Sequence, residues 1–261
     1  MPEPLHSFEQ VTNCRVSLRR GGSGPPLLYL HGAGGAGRWM PFMEALAQKY
    51  DVLVPEHPGF GESESPEWLD NVGDLAYFYL DFLEALDLRG VHLVGNSIGG
   101  WLAAEIAIRN PQRLRTLTLV SPAGIRVEGV PTGDIFMWSQ AELTRNLYFD
   151  ANLAESLLKA PVSEKDQDTF LRNRVTSAKL GWQPRLFNPH LSKWLHRVQL
   201  PTLIVWGDSD KVIPSEYGPA FQKLIPGSRL EIVPRCGHLP HVEKAPEFVA
   251  LLTRFLQENE R

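Results

Sequence analysis

Val91-His92-Leu93-Val94-Gly95-Asn96-Ser97-Ile98-Gly99-Gly100 is the stretch on which the fold turns. Val91–Val94, apolar but for His92, reads as a strand buried on both faces. The pattern then changes at once to helical spacing over Ile98–Arg109. Between them stands one serine with a glycine two residues before it and another two residues after. A strand that turns so abruptly into a helix needs small residues where the two backbones approach, and it holds its central residue in strained geometry. Such a turn lifts the serine hydroxyl clear of the sheet at a helix N-terminus. The N–H of the next residue, Ile98, then faces any negative charge developing on a bound carbonyl oxygen.

Working outward, the same alternation recurs. Apolar runs at Leu27–Leu30, Asp51–Val54, Leu114–Val120, Thr202–Trp206 and Arg229–Val233 read as further buried strands. Helical spacing occupies Trp39–Tyr50, Val72–Leu86, Ser215–Leu224 and Pro246–Gln257. Strand–helix repetition of this kind implies an open, mostly parallel sheet flanked by helices, an α/β class fold. Arg15–Arg19, followed by Gly-Gly-Ser-Gly-Pro-Pro, reads as an antiparallel hairpin entering that sheet. Residues 122–200 break the rhythm with helical patterns, repeated prolines and large apolar residues, among them Phe136, Met137, Trp138, Leu143, Leu147, Phe170, Trp182 and Trp194. They read as a helical cap inserted between two strands, with 1–121 and 201–261 forming the core. Most of these aromatics are expected to make the cap's own small core.

Composition removes several classes of function. The chain has 261 residues, 43% apolar and 21% charged, enough for a sizeable core and far from disorder. Lys and Arg number 26 against 30 Asp and Glu, a net charge of −4, which lacks the basic face of a nucleic-acid binder. No run of 18 apolar residues is present to span a membrane, and Met1–Gln10 has no apolar signal core. Cys14 and Cys236 suggest neither a metal site nor a disulfide framework. A soluble cytoplasmic protein without metal or cofactor is therefore expected.

Three further segments carry chemistry. His31-Gly32-Ala33-Gly34-Gly35 follows the strand Leu27–Leu30, and the N–H of Ala33 is a second donor for an oxyanion. His31 itself is expected to hold that loop. No phosphate cradle is present, because the stretch lacks both the spaced glycines with a following acid and a Lys-Ser/Thr pair. A serine hydroxyl needs a base, and the base needs an acid to fix its tautomer. Gly207-Asp208-Ser209-Asp210 follows the strand Thr202–Trp206, and Cys236-Gly237-His238 follows Arg229–Val233. Both lie just past strand C-terminal ends, where open α/β sheets carry their sites. His241 is expected at the rim or surface, and Cys236 as a packed thiol.

These stretches, with His57-Pro58-Gly59-Phe60-Gly61-Glu62-Ser63 and the closing Glu243 and Pro246-Glu247-Phe248, resemble the α/β-hydrolase superfamily over most of the chain. The resemblance implies Ser97 as nucleophile, His238 as base and Asp210 as acid, with Asp208 as the rival and the N–H groups of Ala33 and Ile98 as the oxyanion hole. Glu56 stands where the family often has Asp, at the start of a tight structural turn. Serine at 97 separates the chain from haloalkane dehalogenases and epoxide hydrolases, which place aspartate there. The expected activity is hydrolysis of small to medium, rather apolar carboxylic esters, with Trp138 and Leu239 touching substrate. Gly-Asn-Ser-Ile-Gly-Gly and Ser121-Pro122-Ala123-Gly124 are also similar to carbon–carbon bond hydrolases of meta-cleavage products. Those enzymes commonly carry tryptophan after the histidine, where this chain has Leu239, and a cap arginine, for which Arg172 and Arg174 are candidates. A hydrolase-like ligand receptor is the third alternative. The resemblance implies a monomer or homodimer acting on a small-molecule ester.

Overall fold

The computed structural model describes residues 4–260. Eight strands form one sheet: β1 Leu5–Val11, β2 Cys14–Gly21, β3 Pro26–Leu30, β4 Asp51–Pro55, β5 Val91–Asn96, β6 Leu114–Val120, β7 Thr202–Gly207 and β8 Arg229–Val233. Their order is β1-β2-β4-β3-β5-β6-β7-β8. The β1/β2 and β2/β4 pairs are antiparallel and all the others parallel. The chain runs from β3 outward to β4 and returns to β5 on the other side of β3. The C-terminal ends of β3 and β5 therefore flank a crevice, the usual site position in such sheets.

Helices cover both faces: α1 Pro41–Leu46, α2 Val72–Ala85, α3 Ile98–Arg109, α8 Tyr217–Leu224 and α10 Ala245–Glu258, with the short α9 Pro240–Glu243 before the last. The period-2 alternation of a strand divides its side chains between these layers. On β3, Leu28 and Leu30 join the core under α2, α3 and α8, whereas Leu27 and Tyr29 join the core under α1 and α10. β5 and β7 are buried at every position, which is why their sequences are continuous apolar runs.

Between β6 and β7 lie α4 Gln140–Leu147, α5 Ala151–Lys159, α6 Glu164–Gly181 and α7 Leu191–Trp194, followed by a 3₁₀ turn over Leu195–Arg197. Ser139, Asp150 and Ser163 cap the first three of these helices by accepting backbone N–H groups. No described helix is long and apolar enough to cross a membrane.

Two local expectations need correcting. The hairpin is made by β1 and β2 around Thr12-Asn13, and β2 pairs with β4, so the Gly-rich segment after Arg20 is a connection to β3. β1 escaped notice because its alternation is weak: Leu5 and Phe8 point outward and remain exposed. The helix expected over Trp39–Tyr50 is only Pro41–Leu46, because proline favours the first helical turn.

Candidate active site

Ser97 sits at φ 56° and ψ −118°, between β5 and α3. Backbone spacing forces the glycines around it. A Cβ at Gly95 would lie 2.2 Å from the Gly99 carbonyl oxygen, and one at Gly99 would lie 2.1 Å from that of Leu30. Either methyl would push helix from strand. Ser97 occupies the N-cap position of α3, yet its hydroxyl caps nothing. The strained backbone directs it instead to a cavity it shares with His238. Ile98 opens the helix, so its N–H is one of the four first-turn amides without an intrahelical acceptor.

The loop after β3 comes close to this turn. A Cβ at Gly32 would be 3.1 Å from the Ser97 Cβ, and Ala33 lines the same cavity. His31 Nδ1 donates to its neighbour's carbonyl, Gly32 O, at 2.7 Å, and Nε2 accepts from the His57 N–H at 3.0 Å. His57 in turn lies 3.0 Å from His31 O through Nε2 and 2.6 Å from the Tyr79 hydroxyl through Nδ1. Burial pushes both imidazoles below their usual pKa, His57 strongly. A neutral ring with one donor and one acceptor satisfies every one of these contacts. Glu56, buried, accepts from the N–H of Ala36 and of Glu62, so it ties this loop to the turn after β4.

Asp210 and His238 converge from the ends of β7 and β8. His238 Nδ1 is 2.7 Å from Asp210 Oδ2, and both side chains are buried. Asp210 Oδ1 accepts the N–H groups of Val212 and Ile213 at 2.8 and 2.9 Å, which fixes the carboxylate plane. Asp208, the rival, accepts from Ser209 Oγ and the Cys236 N–H within the turn and does not bond to His238. Gly237 must be glycine because a Cβ there would meet the Leu147 carbonyl oxygen at 2.4 Å. The next N–H, that of His238, donates to this same oxygen at 2.8 Å. Glu243 clips the arrangement by accepting the Gly237 N–H at 2.7 Å and those of Phe149 and Asp150. Burial pushes the Cys236 thiol far up, as a packed thiol requires.

The shared cavity has a volume of about 220 Å³ and mostly apolar walls, including Ile135, Phe136, Leu143, Leu147, Phe170 and Leu239. Leu239, expected to touch substrate, lines the cavity. Trp138, expected to do the same, does not: its ring packs against Gly133, and Phe136 lines the cavity instead. The segment Phe136–Trp138 is a turn rather than helix, so a two-residue difference reverses the facing. Trp182 and Trp194 are about half exposed and do not fill a private core. The two arginine candidates also separate. Arg172 leaves the cavity to donate to the carbonyls of Gly59 and Ser63. Arg174 lines the cavity while one nitrogen, Nη2, donates to Phe136 O and Trp138 O at 2.8 Å each. Next to Arg172, Asn173 bonds Gly34 O and the Gly61 N–H, and Ser177 donates to Ala33 O, so α6 is latched to the loop after β3.

His241 was expected at the surface. It is 3% exposed, with Nε2 2.9 Å from the Tyr29 hydroxyl, and both residues line the cavity. Burial, and then repulsion from His238, push its pKa down to about 3. Sequence reasoning assigned no contact at the site to Tyr29, Glu56, Asn173 or Glu243. Glu56 and Glu243 stood in recognisable segments, whereas Tyr29 sits in an apolar strand and Asn173 in a helix, where nothing local marks them.

Residues 25–245 match the model of the alpha/beta hydrolase fold family, and the chain belongs to that family. It is 30% identical to 2-hydroxymuconate semialdehyde hydrolase of Pseudomonas sp. strain CF600, over 94% of this chain and 91% of that protein. It is also 30% identical to the dihydrolipoyllysine-residue acetyltransferase component of the acetoin cleaving system of Cupriavidus necator, over 96% of this chain and 69% of that protein. Among solved structures, a bacterial membrane phospholipase A described as a virulence factor superposes with a TM-score of 0.81 at 26% identity, over 99% of this chain and 87% of the other.

Proposed function

We propose that the chain is a serine hydrolase in which Ser97 attacks a carbonyl, His238 takes its proton and Asp210 holds the resulting imidazolium. The hydrogen bond from His238 Nδ1 to Asp210 leaves Nε2 as the basic nitrogen, the tautomer this role requires. The N–H groups of Ala33 and Ile98 receive the oxyanion. Residues 122–200 act as a cap whose inner side selects the substrate.

The substrate we favour is a conjugated keto acid cleaved at a carbon–carbon bond. The observation behind this is Arg174, the single Lys, Arg, Asp or Glu side chain among the described residues lining the cavity. Its Nη2 is engaged, and Nε and Nη1 remain to grip an acid group, as planar guanidinium does well. The 2-hydroxydienoate first tautomerises, its enol proton moving to C5, so that C5 becomes saturated beside the C6 carbonyl. Attack by Ser97 on C6, with its proton passing to His238, then forms the acyl–oxygen bond and breaks the C5–C6 bond. The released electron pair delocalises through C4 and C3 onto the C2 oxygen, and that dienolate oxygen takes the proton back from His238. Water, activated by His238, then frees the acyl group. Similarity to the semialdehyde hydrolase supports the same choice.

Ester hydrolysis is the second reading. Leu239 leaves an apolar wall beside His238, and the likeness to a phospholipase structure points the same way. Turnover of a 2-hydroxy-6-oxohexa-2,4-dienoate, followed by loss of its visible absorbance, is expected to exceed turnover of 4-nitrophenyl butyrate. Both should vanish in Ser97→Ala. Ester turnover without dienoate turnover would select the second reading, and activity surviving Ser97→Ala would overturn both.

A further inference from the structure

Besides Arg174, which belongs to residues 122–200, the cavity has a second pair of polar side chains, Tyr29 and His241, supplied by the sheet and the segment after β8. Tyr29 projects from β3 into the layer under α1 and α10. There its ring packs 5.2 Å from Phe42, and His241 lies 5.0 Å from Phe42 and 5.9 Å from Phe248. Met40, Met43 and Val242 complete this end of the wall. The part with Phe136, Phe170 and Arg174 comes from residues 122–200. Ser97 and His238 line the same cavity, so a molecule bound there is within one enclosure with both sets of polar groups.

The polar atoms of Tyr29 and His241 are incompletely used. Tyr29 Oη and His241 Nε2 bond each other, and His241 Nδ1 is buried with no partner among the described residues. Each proton arrangement leaves one donor and one acceptor over. If Tyr29 donates to Nε2, then Nδ1–H is a spare donor and the phenol oxygen a spare acceptor. If Nε2–H donates to the phenol, then the phenol O–H and the Nδ1 lone pair are left. Buried polar groups in an apolar wall without partners are unfavourable, so a ligand that supplies them gains selectivity over one that does not. Neither group is charged here: burial holds the imidazole neutral and raises the phenol pKa far above its usual value. An anion therefore finds no counter-charge at this end.

We propose that Tyr29 and His241 form a second specificity subsite, which takes an uncharged hydroxyl or keto oxygen on the part of the substrate remote from its acid group. The proposal rests on the cavity being the substrate site, as proposed above, and it adds the chemistry of the remote end. Met40 and Met43 give that end adaptable, unbranched walls, so it selects by the oxygen more than by shape. The same pair serves whether the bond broken is carbon–carbon or ester.

Binding can be tested apart from turnover in Ser97→Ala, with methyl 4-oxopentanoate and methyl pentanoate as probes differing by one keto oxygen. Calorimetric titration is expected to show the keto ester binding about tenfold tighter. That preference should disappear in Ser97→Ala/Tyr29→Phe and in Ser97→Ala/His241→Leu, with thermal melting confirming that each is folded. Equal affinities in Ser97→Ala, binding of neither probe, or a preference that survives both double variants would overturn the subsite. Whether the unsubstituted enzyme turns over dienoates or esters is read separately, so failure of the hydrolase reading shows itself without deciding this one.

Discussion

The C-terminal edge of the sheet and the insertion between β6 and β7 meet at one cavity but are built in opposite ways. At the sheet edge, backbone meets backbone: Gly95 against Gly99, Gly99 against Leu30, Gly237 against Leu147. Side-chain placement there follows from turns that tolerate no Cβ. Within the insertion, Leu147 is held to the sheet edge by a backbone bond, whereas α6 is held by single side chains reaching carbonyls. Arg172, Asn173, Thr176 and Ser177 all bond to the loops after β3 and β4 from one stretch of α6. Ser97 and His238 are therefore placed by geometry that leaves a spacing signature, and the cavity wall supplied by α6 by contacts that leave none.

The largest effect expected at the sheet edge comes from Asp210→Asn. The amide keeps the shape but favours the wrong imidazole tautomer, and turnover should fall about 10⁴-fold with KM little changed. A loss under tenfold, in steady-state kinetics on whichever substrate is turned over, would show that Asp210 merely braces the Val212–Ile213 turn.

Next comes the pH dependence of stability. His31, His57 and His241 are held neutral in the folded protein, so their folded pKa values lie below the unfolded one. The unfolded chain then binds more protons as pH falls. The stabilising contribution is complete above about pH 6.5 and is lost as pH drops toward the folded value, about 3 for His241. At pH 5 His241, whose folded pKa is about 3, withdraws up to about 2 kcal/mol relative to pH 7, and His31 and His57 act in the same direction. Urea unfolding at a series of pH values should show this fall, and His241→Leu should make it shallower. An unchanged slope in that variant would mean that His241 titrates normally.

The smallest effect sharpens the comparison within the insertion. Trp138→Ala is expected to change KM by less than threefold, because the ring packs away from the cavity. Phe136→Ala should raise KM by about tenfold, the cost of one lost apolar contact of 1–2 kcal/mol. Equal effects from the two substitutions would move Trp138 back to the substrate.

How much of this was legible follows the same division. The strands β3–β8 were readable because burial on both faces imposes continuous apolar runs. The sites at their ends were readable because turns impose glycine. His238 with Asp210, rather than Asp208, came from resemblance, and the bond between His238 and Asp210 now accompanies it. β1 was not readable, since an edge strand with outward Leu5 and Phe8 has no strong pattern. Trp138 was misplaced because one turn rather than a helix decides which of two neighbouring aromatics faces inward. The sequence places His241 at the rim or surface, because its burial comes largely from Tyr29 and Phe42, distant in the chain.

By itself the sequence determined an α/β hydrolase fold and a serine at the tip of a strand–helix turn, because steric limits on the backbone act between near neighbours. Tertiary structure alone decided that Arg174 and not Arg172 enters the cavity, that Phe136 and not Trp138 lines it, and that Tyr29 and His241 share a buried hydrogen bond. Those outcomes depend on packing between elements far apart in sequence, where a rotation of one helix by a single residue changes which side chain meets the substrate.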